Sequence, residues 1–123
     1  MSAAGVPFVR EAGTGPTVVC LHANASTSGQ WRGLMELLAP MHQVLAPDSY
    51  GSGKSPDWPS DLVISLDDEV DFIEPVLARA ATPFVLVGHS YGAAVALKIL
   101  QRMPSEVARR RFEREAAALR SLR

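Results

Sequence analysis

The sequence predicts an α/β fold, in which a mostly parallel sheet carries helices on both faces. Short apolar, β-branched runs alternate with segments that have helical periodicity. The runs are continuously apolar, which is typical of strands that are buried on both faces of a parallel sheet. Polar, glycine-rich segments follow three of the runs, where the ligand-binding loops of such sheets lie.

Composition favours one modest globular domain, since the chain has 123 residues, of which 47% are hydrophobic. The net charge of −1 gives no reason to expect a nucleic acid or a membrane as partner. No apolar run has membrane-spanning length, and no basic-then-apolar leader is present, so we expect a cytoplasmic protein. The single cysteine, Cys20, lies in an apolar run and is expected to be a buried, unreactive thiol.

Four strands are predicted, at residues 6–11, 17–21, 43–46 and 84–87. The loops that follow the last three strands are expected to meet at one edge of the sheet. Three helices are predicted between and after the strands. Ser28 is expected to cap the first, with an apolar stripe at Trp31, Leu34, Leu38 and Met41. Ser65 and Asp68 form a capping box for the second, with a stripe at Leu66, Val70, Ile73, Leu77 and Ala80.

The third helix, residues 91–102, is apolar nearly all round and is expected to be buried. The character of the chain changes after Pro104, because residues 105–123 hold six arginines and three glutamates. We therefore divide the chain into a domain at 1–104 and a charged helical tail at 105–123. A solvated helix and a partner-binding helix are both compatible with the tail.

Residues 83–93 hold the most specific motif, a G-x-S-x-G sequence between a predicted strand and a predicted helix. This context predicts a nucleophile elbow with Ser90 at its apex, in a strained turn with positive φ. Gly88 and Gly92 are expected where two backbone segments approach too closely for a Cβ. The turn would hold Ser90 at the helix N-terminus, where backbone N–H groups favour developing negative charge.

Together with two further stretches, the elbow resembles the N-terminal half of the α/β-hydrolase family over residues 5 to about 104. The stretches are Leu21-His22-Ala23-Asn24, similar to the family's oxyanion loop, and residues 47–55, similar to its Asp-x-x-Gly-x-Gly-x-Ser turn. Two alanines, Ala23 and Ala93, replace usual glycines, which is tolerated where φ is negative.

The resemblance implies a hydrolase that uses Ser90 as nucleophile on a small ester or related carbonyl compound, without cofactor or metal. Tyr91 and either Asn24 or Ala23 would supply the oxyanion-hole N–H groups. In the family the catalytic acid and histidine follow the serine on later loops. Residues 105–123 contain neither His nor Asp, so we expect an incomplete site with weak or no activity.

Other functions remain open. A haloperoxidase-like or carbon–carbon bond hydrolase would share these motifs, whereas a haloalkane dehalogenase is disfavoured because that branch uses aspartate as nucleophile. The alternative class is a non-catalytic fragment or interaction module, which would self-associate through the exposed edge of the last strand.

The sequence holds three histidines that are candidates for the base. His22 lies at the expected edge and is a possible base, although a structural hydrogen-bonding role is the more common one. His89 is adjacent to Ser90, but side chains diverge across a tight turn, and His42 is expected at the opposite end of the sheet. Residues 51–55 look like the end of a phosphate-binding P-loop, but Asp48 occupies its first glycine position. Asp48 and Ser55 are therefore expected to hydrogen-bond their own turn.

Overall fold

The computed structural model describes residues 5–80 and 82–103. Its four strands are β1 (Val9–Ala12), β2 (Thr17–Leu21), β3 (Gln43–Pro47) and β4 (Val85–Gly88). They form one sheet in the order β1-β3-β2-β4. Strands β3, β2 and β4 run parallel, and β1 pairs antiparallel to β3. The predicted α/β class with a mostly parallel sheet is confirmed.

Helices cover both faces of this sheet. A 3-10 turn (Ser28–Trp31) leads into α1 (Arg32–Leu38) on one face, and α2 (Leu66–Arg79) and α3 (Tyr91–Arg102) pack on the other. Because successive strand residues point to opposite faces, Val18 and Cys20 of β2 pack with α1, whereas Val19 and Leu21 pack with α2 and α3. The sheet is thus the buried middle layer, as predicted.

The first strand begins three residues later than predicted, at Val9. The backbone before it is committed elsewhere, because the Phe8 N–H donates to Ser55 Oγ (3.0 Å) and the Phe8 carbonyl accepts from the Asp48 N–H (2.9 Å). These two bonds connect the segment before β1 with the turn after β3. Strand β3 extends one residue further than predicted, and β4 is shifted by one residue, to end at Gly88.

The predicted cap of the first helix is wrong. Thr27 caps the 3-10 turn through its Oγ1, which accepts from the Gly29 N–H (3.1 Å), whereas the Ser28 N–H donates to Asp48 Oδ1 (2.7 Å). Met41 is also outside the helix and 74% exposed. Met35, absent from the predicted stripe, is buried instead.

The other two helices follow the prediction closely. The Ser65–Asp68 capping box is present in both directions, and α3 has the predicted bounds. One side of α3 is less buried than expected, since Leu97 is 45% exposed. Cys20 is fully buried, as predicted, and burial raises the pKa of its thiol to about 12.

The charged tail at 105–123 and its stripe lie outside the described residues. Within residues 5–80 and 82–103, no helix is both long enough and apolar enough to cross a bilayer.

Candidate active site

The three predicted loops meet at the carboxyl ends of β2, β3 and β4. Two hydrogen bonds join them. The Ser49 N–H after β3 donates to His22 Nε2 after β2 (3.0 Å), and the His89 N–H after β4 donates to the Leu21 carbonyl (3.1 Å). The edge of the sheet therefore holds the residues that the motifs singled out.

Ser90 has the strained backbone that the elbow prediction requires. Its φ is 57° and its ψ is −115°, and it directly precedes α3. The side chain is exposed, and it makes no capping hydrogen bond. The predicted positive φ is confirmed, and the Ser90 hydroxyl faces solvent at a helix N-terminus.

The elbow glycines lie where no side chain fits. A Cβ on Gly88 would stand 2.6 Å from the Gly92 carbonyl oxygen, and a Cβ on Gly92 would overlap the Leu21 carbonyl of β2. Neither obstacle is a side chain that could rotate away. The steric reason predicted for both glycines is confirmed.

The N–H groups that were predicted as oxyanion donors differ in their hydrogen bonds. The Ala23 N–H is occupied, because it donates to Gln30 Oε1 (2.8 Å). The N–H groups of Asn24 and Tyr91 donate no hydrogen bond within the described residues. Ala25 adopts a φ of 58°, which turns the loop immediately after Asn24. The φ of Ala23 is not positive. This is the condition under which alanine can replace the usual glycine at this position.

Gln30 is a functional candidate that the sequence analysis missed. Its Oε1 accepts from the Ala23 N–H, and its Nε2 donates to His89 Nδ1 (3.0 Å). One amide orientation satisfies both bonds, so the side chain ties the loop after β2 to the elbow. Gln30 is an exposed polar residue 59 positions from His89, and no local pattern indicates such a contact.

His22 is buried, with 2% exposure, and both of its ring nitrogens are occupied. Nδ1 donates to the Ala23 carbonyl (2.7 Å), and Nε2 accepts from Ser49. His42 immediately precedes β3, at the opposite end of the sheet, as predicted. In the described part of the chain no histidine is hydrogen-bonded to Ser90, and no cluster of three His, Cys, Asp or Glu side chains could hold a metal ion.

Asp48 organises the turn after β3. Its Oδ1 accepts from Ser28, its Oδ2 accepts from the Lys54 N–H (3.0 Å), and its carbonyl accepts from Ser55 Oγ (2.7 Å). Gly53, with φ of 51°, lies against the carboxylate, where a Cβ would overlap it. The next helix begins only at Leu66, so the rejection of a P-loop and the predicted turn bonding are confirmed.

The hydrogen bonds to Asp48 set its protonation. Burial raises the pKa of Asp48, but the N–H groups of Lys54 and Ser28 outweigh burial and lower the pKa below its ordinary value. A lowered pKa in the folded state means that the ionised carboxylate stabilises the fold. This stabilisation is complete above the unfolded-state pKa and is lost as the pH falls through the folded-state pKa.

We therefore expect Asp48→Asn to lower the free energy of unfolding by about 2 kcal/mol at neutral pH, because an amide N–H₂ would face a backbone N–H. The difference from wild type should shrink as the pH falls through the folded-state pKa of Asp48, because Asp48 itself is then protonated. Urea denaturation at pH 7 and at low pH measures both effects. Asp61→Asn, at an exposed position, is the control, and an Asp48→Asn effect equal at both pH values would contradict the assignment.

A family model described as the alpha/beta hydrolase fold matches residues 16–109. A haloalkane dehalogenase of Mesorhizobium japonicum is 32% identical over 101 residues, which are 81% of this chain and 32% of that protein. A 2-hydroxymuconate semialdehyde hydrolase of Pseudomonas sp. strain CF600 is 36% identical over 109 residues, 88% of this chain and 36% of that protein.

Among solved structures, the thioesterase domain from the curacin biosynthetic pathway superimposes with a TM-score of 0.69 at 29% identity, covering 74% of this chain and 35% of that one. The chain thus spans about a third of the length of the relatives that it matches. The family match covers the three parallel strands β2, β3 and β4, the loops at their carboxyl ends and the elbow. The chain belongs to the α/β-hydrolase family.

Proposed function

We propose that this chain carries the nucleophile of a serine hydrolase, with Ser90 attacking a small ester or related carbonyl compound. The observation that carries the proposal is the backbone of Ser90, which has positive φ between two glycines that admit no side chain. Such a conformation costs about 1–3 kcal/mol and persists where the surroundings enforce it. Its effect here is to present an exposed hydroxyl that makes no capping bond.

The proposed oxyanion hole is formed by the N–H groups of Tyr91 and Asn24. Ser90 Oγ would attack the carbonyl carbon, and the carbonyl oxygen would take up negative charge against these two donors and the N-terminus of α3. The leaving alcohol would depart to give an ester of Ser90, which water then hydrolyses. Ala23 is not used, because its N–H is bound to Gln30.

The base that accepts the Ser90 proton is proposed to come from outside the described residues. His22 is buried with both ring nitrogens hydrogen-bonded to backbone groups, which supports a structural role that joins two loops. Since the chain spans about a third of its relatives, we propose that the histidine and acid of a complete enzyme belong to the remaining two thirds.

The substrate class is also a proposal. The named relatives refer to haloalkanes, a semialdehyde and thioesters. Attack by serine on a haloalkane would form an ether, which water does not cleave, whereas attack on a carbonyl forms an ester that water hydrolyses. The presence of serine at position 90 therefore favours a carbonyl substrate.

The test is the hydrolysis of p-nitrophenyl acetate by the chain alone and together with the C-terminal segment of a hydrolase relative. We expect trace turnover by the chain alone, because a serine hydroxyl is a weak nucleophile without an adjacent base. The added segment, fused or in trans, should raise turnover. Substantial turnover by the chain alone that is lost in His22→Ala would contradict the proposal and identify His22 as the base.

A second candidate function is an interaction module that pairs with another copy of itself. Strand β4 has β2 on one side and no partner strand on the other among the described residues, and all four of its residues are only half-buried. An unpaired edge offers free N–H and C=O groups to another strand. We expect oligomers in sedimentation velocity at micromolar concentration, and a heat-stable monomer would contradict this candidate.

A further inference from the structure

Glu69, in the first turn of α2, is buried, whereas Asp67 and Asp71 beside it are exposed and Asp68 is half-buried. Asp68 caps the helix, and Asp67 and Asp71 pair with Arg102 at 3.3 Å and 2.7 Å. Glu69 instead lies in the protein interior, with 4% exposure. A carboxyl group at this depth has to be hydrogen-bonded to offset its desolvation.

Only one of the two Glu69 oxygens is hydrogen-bonded within the described residues. Oε2 accepts from the Tyr91 hydroxyl (2.9 Å), whereas Oε1 is buried and has no partner. An apolar side chain would fill this position without leaving an unpaired oxygen. The side-chain hydrogen bond of Glu69 leads to the elbow, and the Tyr50 backbone N–H also lies close enough to favour the ionised carboxyl group.

Tyr91 is the link between Glu69 and the candidate oxyanion site. It directly follows Ser90, and its backbone N–H makes no bond within the described residues. Its side chain reaches from the elbow at the start of α3 to α2, where its hydroxyl donates to Glu69. Burial and the bond to Glu69 raise the pKa of Tyr91, so that its hydroxyl remains the donor.

The groups that face Glu69 act on its ionisation in both directions. Burial is the largest influence and raises the pKa of Glu69 above its ordinary value, and the charge of Asp68 adds to the rise. Three groups favour the ionised form and so act against this rise, namely the Tyr91 hydroxyl, the Tyr50 backbone N–H and His22. On balance, burial keeps the pKa of Glu69 above that of an exposed glutamate.

We propose that Glu69 is a positioning residue for the oxyanion site, which orients the Tyr91 backbone N–H through the Tyr91 hydroxyl and does so more firmly when its carboxyl group is ionised. A carboxylate accepts a stronger hydrogen bond than a neutral carboxylic acid. Protonation of Glu69 therefore loosens the phenol and, with it, the residue next to Ser90. An effect of this positioning on catalysis rests on the function proposed above, whereas the coupling between Glu69 and the Tyr91 backbone does not.

The test is an NMR pH titration of the full chain that follows the Glu69 side-chain carboxyl carbon and the Tyr91 backbone amide. In wild type both resonances should move with the same midpoint. The Tyr91 amide should not titrate in Glu69→Gln, which keeps an oxygen acceptor for the phenol. Glu74→Gln, an exposed position on the same helix, should behave as wild type. In Tyr91→Phe the Glu69 carbon should titrate without the amide at 91.

Two outcomes would overturn the inference. One is a Tyr91 amide that does not move with Glu69 in wild type, and the other is an amide that titrates equally in Glu69→Gln. A merely structural role of Glu69 would change the unfolding midpoint in Glu69→Gln but would leave the titration of the Tyr91 amide as it is in wild type. Circular dichroism of each variant confirms that the folded state is being compared.

A second measurement separates this inference from the proposed function. Labelling of Ser90 by a fluorophosphonate in the chain supplemented with the C-terminal hydrolase segment, followed by mass spectrometry, should be about tenfold slower in Glu69→Leu at neutral pH. The rate in Glu69→Gln should lie between those of wild type and Glu69→Leu, because glutamine keeps an acceptor for the phenol but not the charge. Equal rates in wild type and Glu69→Leu would contradict positioning. Coupled titration of Glu69 and Tyr91 in a chain whose Ser90 is never labelled would retain the inference and refute the proposed nucleophile.

Discussion

Ser90→Ala is expected to abolish the ester hydrolysis that the chain gains when a C-terminal hydrolase segment is added. Removal of the hydroxyl removes the proposed nucleophile, which closes the covalent route. Loss of the nucleophile in serine hydrolases costs several orders of magnitude in kcat, and we expect a decrease of at least about 10³-fold. Release of p-nitrophenolate under saturating substrate measures it.

Ser60→Ala is the matched control, since it removes a hydroxyl from an exposed turn remote in sequence from the elbow. It should leave the gained turnover unchanged. The fold should also be intact in Ser90→Ala, because the Ser90 hydroxyl makes no capping bond. Turnover in Ser90→Ala equal to that of the parent would show that another group performs the hydrolysis.

Gly92→Ala is expected to lower the free energy of unfolding by at least about 3 kcal/mol, at the upper end of what overpacking costs. The new methyl group would overlap the carbonyl groups of Leu21 and His22, which belong to the backbone of β2 and the loop after it. To admit it, α3 would have to move away from the sheet. Because small domains are stable by only about 5–15 kcal/mol, a large share of the folded population is at risk. Urea denaturation followed by circular dichroism measures the loss.

Gly33→Ala provides the opposite expectation for the same chemical change. Gly33 is exposed on α1, and a Cβ there meets no heavy atom within 4 Å. Alanine is the better helix former, so this variant should be more stable than wild type by up to about 1 kcal/mol. Equal stability of the Gly92→Ala and Gly33→Ala variants would refute the close approach of α3 to β2.

The elbow could be predicted from sequence because all of its determinants are local. Gly88, Ser90 and Gly92 lie within five residues, between a β-branched run and a helix with a continuous apolar pattern. The cap of the first helix was predicted incorrectly, because Thr27 and Ser28 are both capping residue types. Asp48, which lies 20 residues away from Ser28, decides between them by accepting the Ser28 N–H.

The long-range side-chain contacts of the site could not be predicted from local sequence patterns. Gln30 reaches His89 across 59 positions, and nothing in its neighbourhood distinguishes it from other exposed polar residues. Glu69 did leave a signal. It stands three residues after Leu66 and one before Val70, on the apolar stripe of α2, where a charged residue is unexpected. The stripe was predicted, but the acidic residue within it was not.

The most direct test of the account is the identity of the residue that carries the acyl group during turnover. The chain, supplemented with the C-terminal hydrolase segment, would be mixed with p-nitrophenyl acetate, quenched in acid within the first turnovers, digested and examined by mass spectrometry. We predict one acetyl group on the peptide that contains Ser90, and none there in Ser90→Ala. Turnover with an unmodified Ser90, or with the acetyl group on His22 instead, would contradict the assignment of Ser90 as the nucleophile.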